Sequence, residues 1–458
     1  MQDFFLCTQL TACFSRIIVI FSRERLRHIL YACTFRFQGS QSNLINMKNI
    51  ILFDPDTRDQ LLPLSYTRPV CEIRLGIWTI REKWEHWLKG KASYITQDYL
   101  SDKFPIAIEK DNWVINGSVL PNEALCKLIN NLKFNQALLK DGELLAARID
   151  EKQFYNLIED NAIDQLDGFD LDKDVEYITI ERPWDIFSNN DKALRSDFER
   201  ITKGRASAPL SNSNQIVGDT SQIFLEEGAT VECTILNTKK GPIYIGKNAE
   251  IMEGCSIRGG LALCEGSVLK MGAKIYGATT IGPYSKVGGE VNNVVIFAHS
   301  NKGHEGYLGN SVIGEWCNLG ADTNTSNLKN NYEPVKLWDY TKDSFQKTGM
   351  QFLGLIMADH AKCAINTMFN TGTVVGVSAN VFGAGFPRNF IPSFSWGGVG
   401  GFETYTINKA LETAERVFAR RNVALDETER AILQYVYDYS VKYRTWEKTD
   451  TKAKVAAV

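Results

Sequence analysis

From Ile245 onward, aliphatic residues recur at every sixth position: Ile245, Ile251, Ile257, Leu263, Leu269, Ile275, Ile281 and Val287. A period of six is neither the 3.6 of an α-helix nor the 2.0 of a simple strand. It is the period of a left-handed parallel β-helix of hexapeptide repeats, in which each hexad makes one short strand and one turn. Three hexads close a triangular coil of about 18 residues. The aliphatic residue points inward onto its counterpart about 4.8 Å away in the next coil. The position four after each aliphatic residue is mostly small (Ala249, Cys255, Ser267, Ala273, Thr279, Ser285), as a tight corner requires. Gly246, Gly272, Gly282 and Gly288 ease the turn backbone. An earlier run, Ile223, Ala229 and Ile235, has the same period in a shifted phase. Ile313–Leu319 and Val375–Val381 resume it, and the β-helix is assigned to residues 216–401.

With 458 residues, the chain is long enough for at least two domains. Residues 1–46 carry an apolar patch, Ile17 to Phe21, followed by Arg23, Arg25, Arg27 and His28. An acidic start and the lack of a small-residue cleavage site argue against a signal peptide. This stretch is expected to be an extension outside the fold, upstream of a functional start at Met47. Residues 47–200 read as a mixed α/β domain. Strands are expected at Ile50–Phe53 and Trp113–Ile115. Helical patterns lie at Ile77–Leu88, Ala124–Leu132, Lys152–Ile158 and Trp184–Arg200. Residues 201–215 have the Ser, Asn, Pro and Gly content of a linker. The tail, 402–458, is expected to be helical. One apolar face holds Leu411, Ala414, Val417 and Phe418, and a second holds Ile432, Tyr435, Val436 and Tyr439, behind an Asp426/Glu429 start signal.

A net charge of −3 supplies no field for nucleic acid. No apolar run approaches the roughly 20 residues that span a bilayer. The ten scattered Cys read as reduced thiols of a cytoplasmic protein.

The repeat is interrupted from Phe297 to Tyr307, and this break holds His299 and His304, two of only five His in the chain. Their spacing resembles two of the three zinc-binding His of β-helix carbonic anhydrases. The third should lie upstream, yet no His occurs between His86 and His299. No metal site is therefore assigned.

The run GHEGYLGNSVIGEWCNLGADTNTSNL, Gly303 to Leu328, resembles the acetyltransferase domain of bifunctional glucosamine-1-phosphate acetyltransferase / N-acetylglucosamine-1-phosphate uridyltransferases. Their motif reads approximately GH-x-x-Y-[LV]-G-[DN]-x-x-IG-x-x-x-N-x-GAGT-x-x-x-N. This chain departs at Asp322, usually Gly, and at Leu328, a Tyr in the bacterial branch. The resemblance implies that His304 is the general base that deprotonates the attacking amine, work suited to an imidazole. Tyr307 and Asn327 would bond the sugar, Asn318 would support the site, and Lys336 would bind substrate. Lys274 aligns with a sugar-phosphate Arg, and Asn292 with a Lys of the same site. Acetyl-CoA is the implied donor and glucosamine 1-phosphate the implied acceptor. A homotrimer with CoA between subunits is also implied, serving UDP-N-acetylglucosamine synthesis.

Leu61 to Ile80 resembles the signature of Rossmann-like nucleotidyltransferases at Pro63-Leu64-Ser65 and Pro69. Its working residues differ. Arg58, Asp59 and Gln60 replace Gly, Thr and Arg, Val70 replaces Lys, and Ser118 stands where an Asp would bind Mg²⁺. Arg58, Arg68 and Arg74 are candidate nucleotide ligands or ion-pair residues. UTP and Mg²⁺ enter only if this domain is active. Two alternatives remain open: a non-catalytic sugar-nucleotide-binding protein, and an acyltransferase on another sugar, which the changes at Asn292 and Asp322 would suit.

Overall fold

The computed structural model describes residues 47–158 and 166–447. The expected extension, 1–46, and the end of the tail, 448–458, lie outside the described residues. Two compact units emerge. Residues 47–58, 68–73, 79–158 and 166–181 build the first; 59–67, 74–78 and 182–447 build the second.

The first unit is a six-stranded mixed sheet. In chain order its strands are β1 (Lys48–Phe53), β2 (Gly90–Ile95), β3 (Asp111–Asn116), β4 (Gln136–Lys140), β5 (Glu143–Asp150) and β6 (Asp167–Asp170). Their spatial order is β2-β1-β3-β5-β4-β6. β1 runs parallel to both β2 and β3. A central parallel strand is covered on both faces, which is why Ile50, Ile51 and Leu52 form an unbroken apolar run, all fully buried. Helix α1 (Ile80–Leu88) begins three residues later than its apolar pattern, because Thr79 and Glu82 form a reciprocal capping box. The sequence pattern did not reveal β2, β4, β5 or β6. The β4–β5 hairpin had a signal, since Asp141-Gly142 supplies the two positive φ values its turn needs.

In the second unit, equivalent hexad residues lie in register. Ile245 pairs with Leu263 and Leu263 with Ile281. Ile296, Ile313, Met357, Val375 and Ile391 continue the row. All eight expected aliphatic positions are at most 2% exposed, and the small corner residues are fully buried. The strands form three faces. The first includes Ile243–Ile245 and Leu261–Leu263, the second Glu250–Ile251 and Val268–Leu269, and the third Ser256–Arg258 and Lys274–Tyr276. The early phase differs from the expected one. Ile235 is 43% exposed, while Leu225, Val231 and Leu236 point inward. The reason is a longer coil: Leu225 registers with Ile245, 20 residues on rather than 18.

Compactness divides the chain at Glu181, not within 201–215. Helices α2 (Pro183–Ser188) and α3 (Asn190–Thr202) belong to the second unit. Leu194, Phe198 and Ile201 of α3 pack on Phe224, Tyr244 and Ala262, which are outward-facing β-helix residues. The stretch expected to be a linker is also tied down. The Ala208 N–H donates to the Leu225 carbonyl (2.9 Å), and Ala208 and Leu210 pack on the core.

The tail forms α4 (Ile407–Ala419) and α5 (Glu427–Tyr439). Ala410, Ala414 and Phe418 are buried on α4. Asp426 caps α5, accepting from the Glu429 N–H. The α5 stripe is Ile432, Leu433 and Val436; Tyr435 and Tyr439 are 40% and 42% exposed and stack on each other. Among the described residues, no helix is long and apolar enough to cross a membrane.

Candidate functional site

At the break in the repeat, one coil shortens. Ile281 registers with Ile296, 15 residues on, and Val287 with Lys302. A lysine thus occupies the inward position that aliphatic residues hold elsewhere, and it is 2% exposed. Its Nζ donates to the carbonyls of Gly288 and His304, both at 2.9 Å. A buried ammonium survives only when so bonded. Burial still pushes its pKa down, to about 8. Lys302 therefore pins the backbone of His304 from inside, while the His304 side chain is exposed.

This geometry has a pH consequence. The folded pKa lies below the unfolded 10.5, so the folded state sheds its proton first and stability rises as pH climbs from about 8 toward 10.5. The whole increment is on the order of 3 kcal/mol. Lys302→Met removes it. The unfolding free energies of variant and wild type, followed by urea titration across this range, diverge in favour of the wild type as pH rises. Parallel profiles would contradict the assignment.

The strand after the break, Tyr307–Ile313, carries the polar groups. Asn327 Nδ2 donates to the Tyr307 hydroxyl (3.0 Å) and to Asn310 Oδ1 (2.7 Å). The Tyr307 N–H donates to Asn324 Oδ1 (2.8 Å). Gly309 makes room for this cluster. A Cβ there would lie 2.3 Å from the Tyr307 hydroxyl and 2.7 Å from Asn327 Nδ2.

Register places the remaining candidates. Lys274, Glu290 and Tyr307 occupy successive rungs of the third face, and Tyr276, Asn292 and Gly309 form the adjacent row. Lys274, Asn292, Tyr307 and Asn327 therefore gather on one face. Lys274 Nζ lies 3.5 Å from Glu305 Oε2, both side chains more than half exposed, so the pair contributes little. Asn318 is elsewhere, exposed on the second face between Asn301 and Lys362. Lys336 is exposed on a separate hairpin. The sequence reading passed over Lys302, Asn310, Asn324 and Glu290. Asn310 did have a signal, the [DN] position of the motif. Glu290 accepts from the Tyr276 hydroxyl (2.5 Å) and sets a carboxylate beside Lys274.

His299 has a packing role. Its ring stacks between Tyr284 (5.3 Å) and Trp316 (4.1 Å), and burial lowers its pKa. Among the described residues, no group of three or more His, Cys, Asp or Glu is arranged to hold a metal ion.

In the first unit the nucleotide candidates are engaged internally. Arg58 and Asp54 form an ion pair whose side chains are only 4% and 3% exposed. Asp54 also accepts from the Val70 N–H (2.7 Å) and the Thr96 hydroxyl (2.6 Å). Arg68 is buried. The Ser118 hydroxyl bonds Asn116 Oδ1 (2.8 Å) and Thr179 Oγ1 (3.1 Å). Arg74, in the second unit, bonds the Ile77 carbonyl. The ion-pair reading fits Arg58, whose charge is needed where Asp54 is buried.

Residues 50–206 match the sugar nucleotidyl transferase family. Parts of the chain are also similar to bifunctional GlmU proteins. The chain is 37% identical over 87 residues to the bifunctional protein GlmU of Methanocaldococcus jannaschii, covering 19% of this chain and 21% of that one. It is 28% identical over 215 residues to GlmU of Methanococcus vannielii, covering 45% and 42%. A bifunctional sugar-1-phosphate nucleotidylyltransferase/acetyltransferase of Sulfurisphaera tokodaii is 28% identical over 145 residues, covering 31% and 36%. The chain thus spans less than half the length of these relatives.

Proposed function

We propose that the β-helix unit transfers an acetyl group from acetyl-CoA to the amine of an amino-sugar phosphate, with glucosamine 1-phosphate the first acceptor to test. The observation that carries this reading is the Tyr307–Asn327–Asn310 cluster over Gly309, beside the turn that holds His304. In the proposed step, His304 takes a proton from the acceptor amine. The nitrogen attacks the thioester carbonyl, the C–S bond breaks, and CoA leaves as the thiol after receiving a proton. Tyr307 and Asn327 orient the sugar, and Lys274 draws its phosphate. Asn318 and Lys336 enter this reading only as supporting groups. The active assembly is proposed to be a cytoplasmic homotrimer, as the resemblance to the acetyltransferase family implies.

Glu290 favours a second reading of the acceptor. A carboxylate beside Lys274 weakens attraction for a phosphate and suits an acceptor of lower charge. The first unit is proposed to retain a nucleotidyltransferase fold without Mg²⁺ chemistry. Ser118, at the family's Mg²⁺ position, carries no carboxylate and its hydroxyl is already bonded within the protein, so it does not fit a hard cation seeking open oxygen ligands. No uridylyl transfer from UTP is assigned to it.

The test is a thiol-release assay with acetyl-CoA, comparing glucosamine 1-phosphate with glucosamine and glucosamine 6-phosphate. Release with the 1-phosphate is the expected result. Release with glucosamine alone would favour the second reading. No release with any amino sugar would overturn acetyl transfer to this class.

A further inference from the structure

The third face gives way to the first at a corner where amide side chains follow one another from coil to coil. In strand Glu290–Ile296, Asn293 stands at φ 56°, and in the next coil Asn310 stands at φ 46°. The two are neighbours in register, since Asn292 pairs with Gly309 and Val294 with Ser311. Asn tolerates a left-handed corner, which accounts for either residue taken alone. The bonds between them carry further.

The Asn293 amide lies between two backbone carbonyls and Asn310. One carbonyl belongs to Ala278 in the preceding coil and the other to Phe187 of α2. A carbonyl oxygen only accepts, so the amide turns Nδ2 toward both, at 3.3 and 3.2 Å, and its Oδ1 accepts from Asn310 Nδ2 at 3.0 Å. Asn310 Oδ1 is thereby directed the other way, where it accepts from Asn327 Nδ2 (2.7 Å). The second hydrogen of Asn327 Nδ2 goes to the Tyr307 hydroxyl (3.0 Å). The Tyr307 oxygen is then an acceptor within the protein, and its own hydrogen has no partner among the described residues. Asn327 Oδ1 has none there either.

We propose that Asn293 and Asn310 are positioning residues that fix the polarity of the acceptor site, so that Tyr307 offers a hydrogen-bond donor and Asn327 Oδ1 an acceptor to the hydroxyl groups of the sugar. A hydroxyl both accepts and donates, so it can answer the pair, whereas an ether or carbonyl oxygen leaves Asn327 Oδ1 unmatched. The two backbone carbonyls set the direction: they cannot donate, so each amide after them is held one way round. The proposal rests on the acetyl-transfer reading, in which Tyr307 and Asn327 hold the sugar, and adds what orients their hydrogens.

The test is Asn310→Asp, followed by urea unfolding and by thiol-release kinetics on the same preparation between about pH 5 and pH 8. Asp keeps the size of the side chain and tolerates the corner. One carboxylate oxygen still accepts from Asn327, while the other meets Asn293 Oδ1 with no hydrogen between them. Turning Asn293 would set its oxygen against two carbonyls. A carboxyl facing acceptors holds its proton, so its folded pKa lies above the unfolded value of about 3.9. The variant is therefore close to wild type in stability at the acid end and falls behind as pH rises through the folded pKa. The ratio of variant to wild-type acceptor KM rises over the same interval to roughly tenfold, while the acetyl-CoA KM is unchanged. Taking the ratio removes the titration of His304 and of the amine, which both proteins share. Asn293→Gly suits the corner and leaves Tyr307, Asn310 and Asn327 in place; it should raise the acceptor KM severalfold at every pH.

A stability gap that stays flat or shrinks as pH rises would overturn the assigned polarity. A gap that grows while the acceptor KM of both variants stays at the wild-type value would overturn the positioning role. No thiol release by the wild type with any amino sugar would sink the acetyl-transfer reading and the positioning role with it, a result separate from the unfolding profile.

Discussion

His304→Ala is expected to lower the rate of thiol release from acetyl-CoA by about 10²–10⁴-fold, the usual contribution of a positioned general base. The loss should fall on turnover rather than on the acceptor's KM, because Tyr307 and Asn327 are left in place to hold the sugar. Stability should change little. The His304 side chain is exposed, and its carbonyl, which accepts from Lys302, is present whatever the side chain. Steady-state kinetics and thermal unfolding on the same preparation separate the two effects. Full activity in the variant would remove His304 from its proposed role. Lost activity with a collapsed melting temperature would show that the residue serves the fold instead.

Phe418→Ala is expected to destabilise the second unit by about 3–5 kcal/mol, the range for a buried phenylalanine. Phe418 is 3% exposed, and its ring stacks on Trp316 at 4.0 Å and lies 5.9 Å from His360. Tyr284, His299, Trp316 and His360 all sit at corners with positive φ, 59–61°. Such corners usually take Gly or Asn, so the strained backbone is compensated by ring stacking. Phe418 joins α4 to that stack, and its removal leaves a cavity that the rigid coil fills poorly. Guanidinium unfolding measures the loss, and limited proteolysis of the tail reports whether α4 has come away. A shift below about 0.5 kcal/mol, typical of surface positions, would mean that Phe418 does not hold the helix.

Much of the β-helix was legible because its signal is local. An inward aliphatic residue every sixth position follows from the coil itself, so Ile245 through Val287 could be read directly. Where coil length changes, the signal fails. Ile235 was assigned inward because the period was extended through a longer coil, and Leu236 holds the inward place instead. On α5, Leu433 outcompetes Tyr435 for the buried stripe, since a phenol can stay wet at modest cost. β2 and β4–β6 lacked a periodic pattern strong enough to separate them from loop.

The candidate site divides in the same way. His304, Tyr307 and Asn327 could be found in the sequence because they lie within one continuous motif. That Lys274, Glu290 and Tyr307 share a face depends on a register set by coil lengths. The inward burial of Lys302 follows from the one coil that is 15 residues long. The engagement of Arg58 with Asp54 depends on the burial around both. By itself, the sequence determined the repeat and the motif, because each is written in neighbouring residues. Tertiary structure alone decided which charges are buried, paired or open, because those depend on contacts between residues distant in the chain.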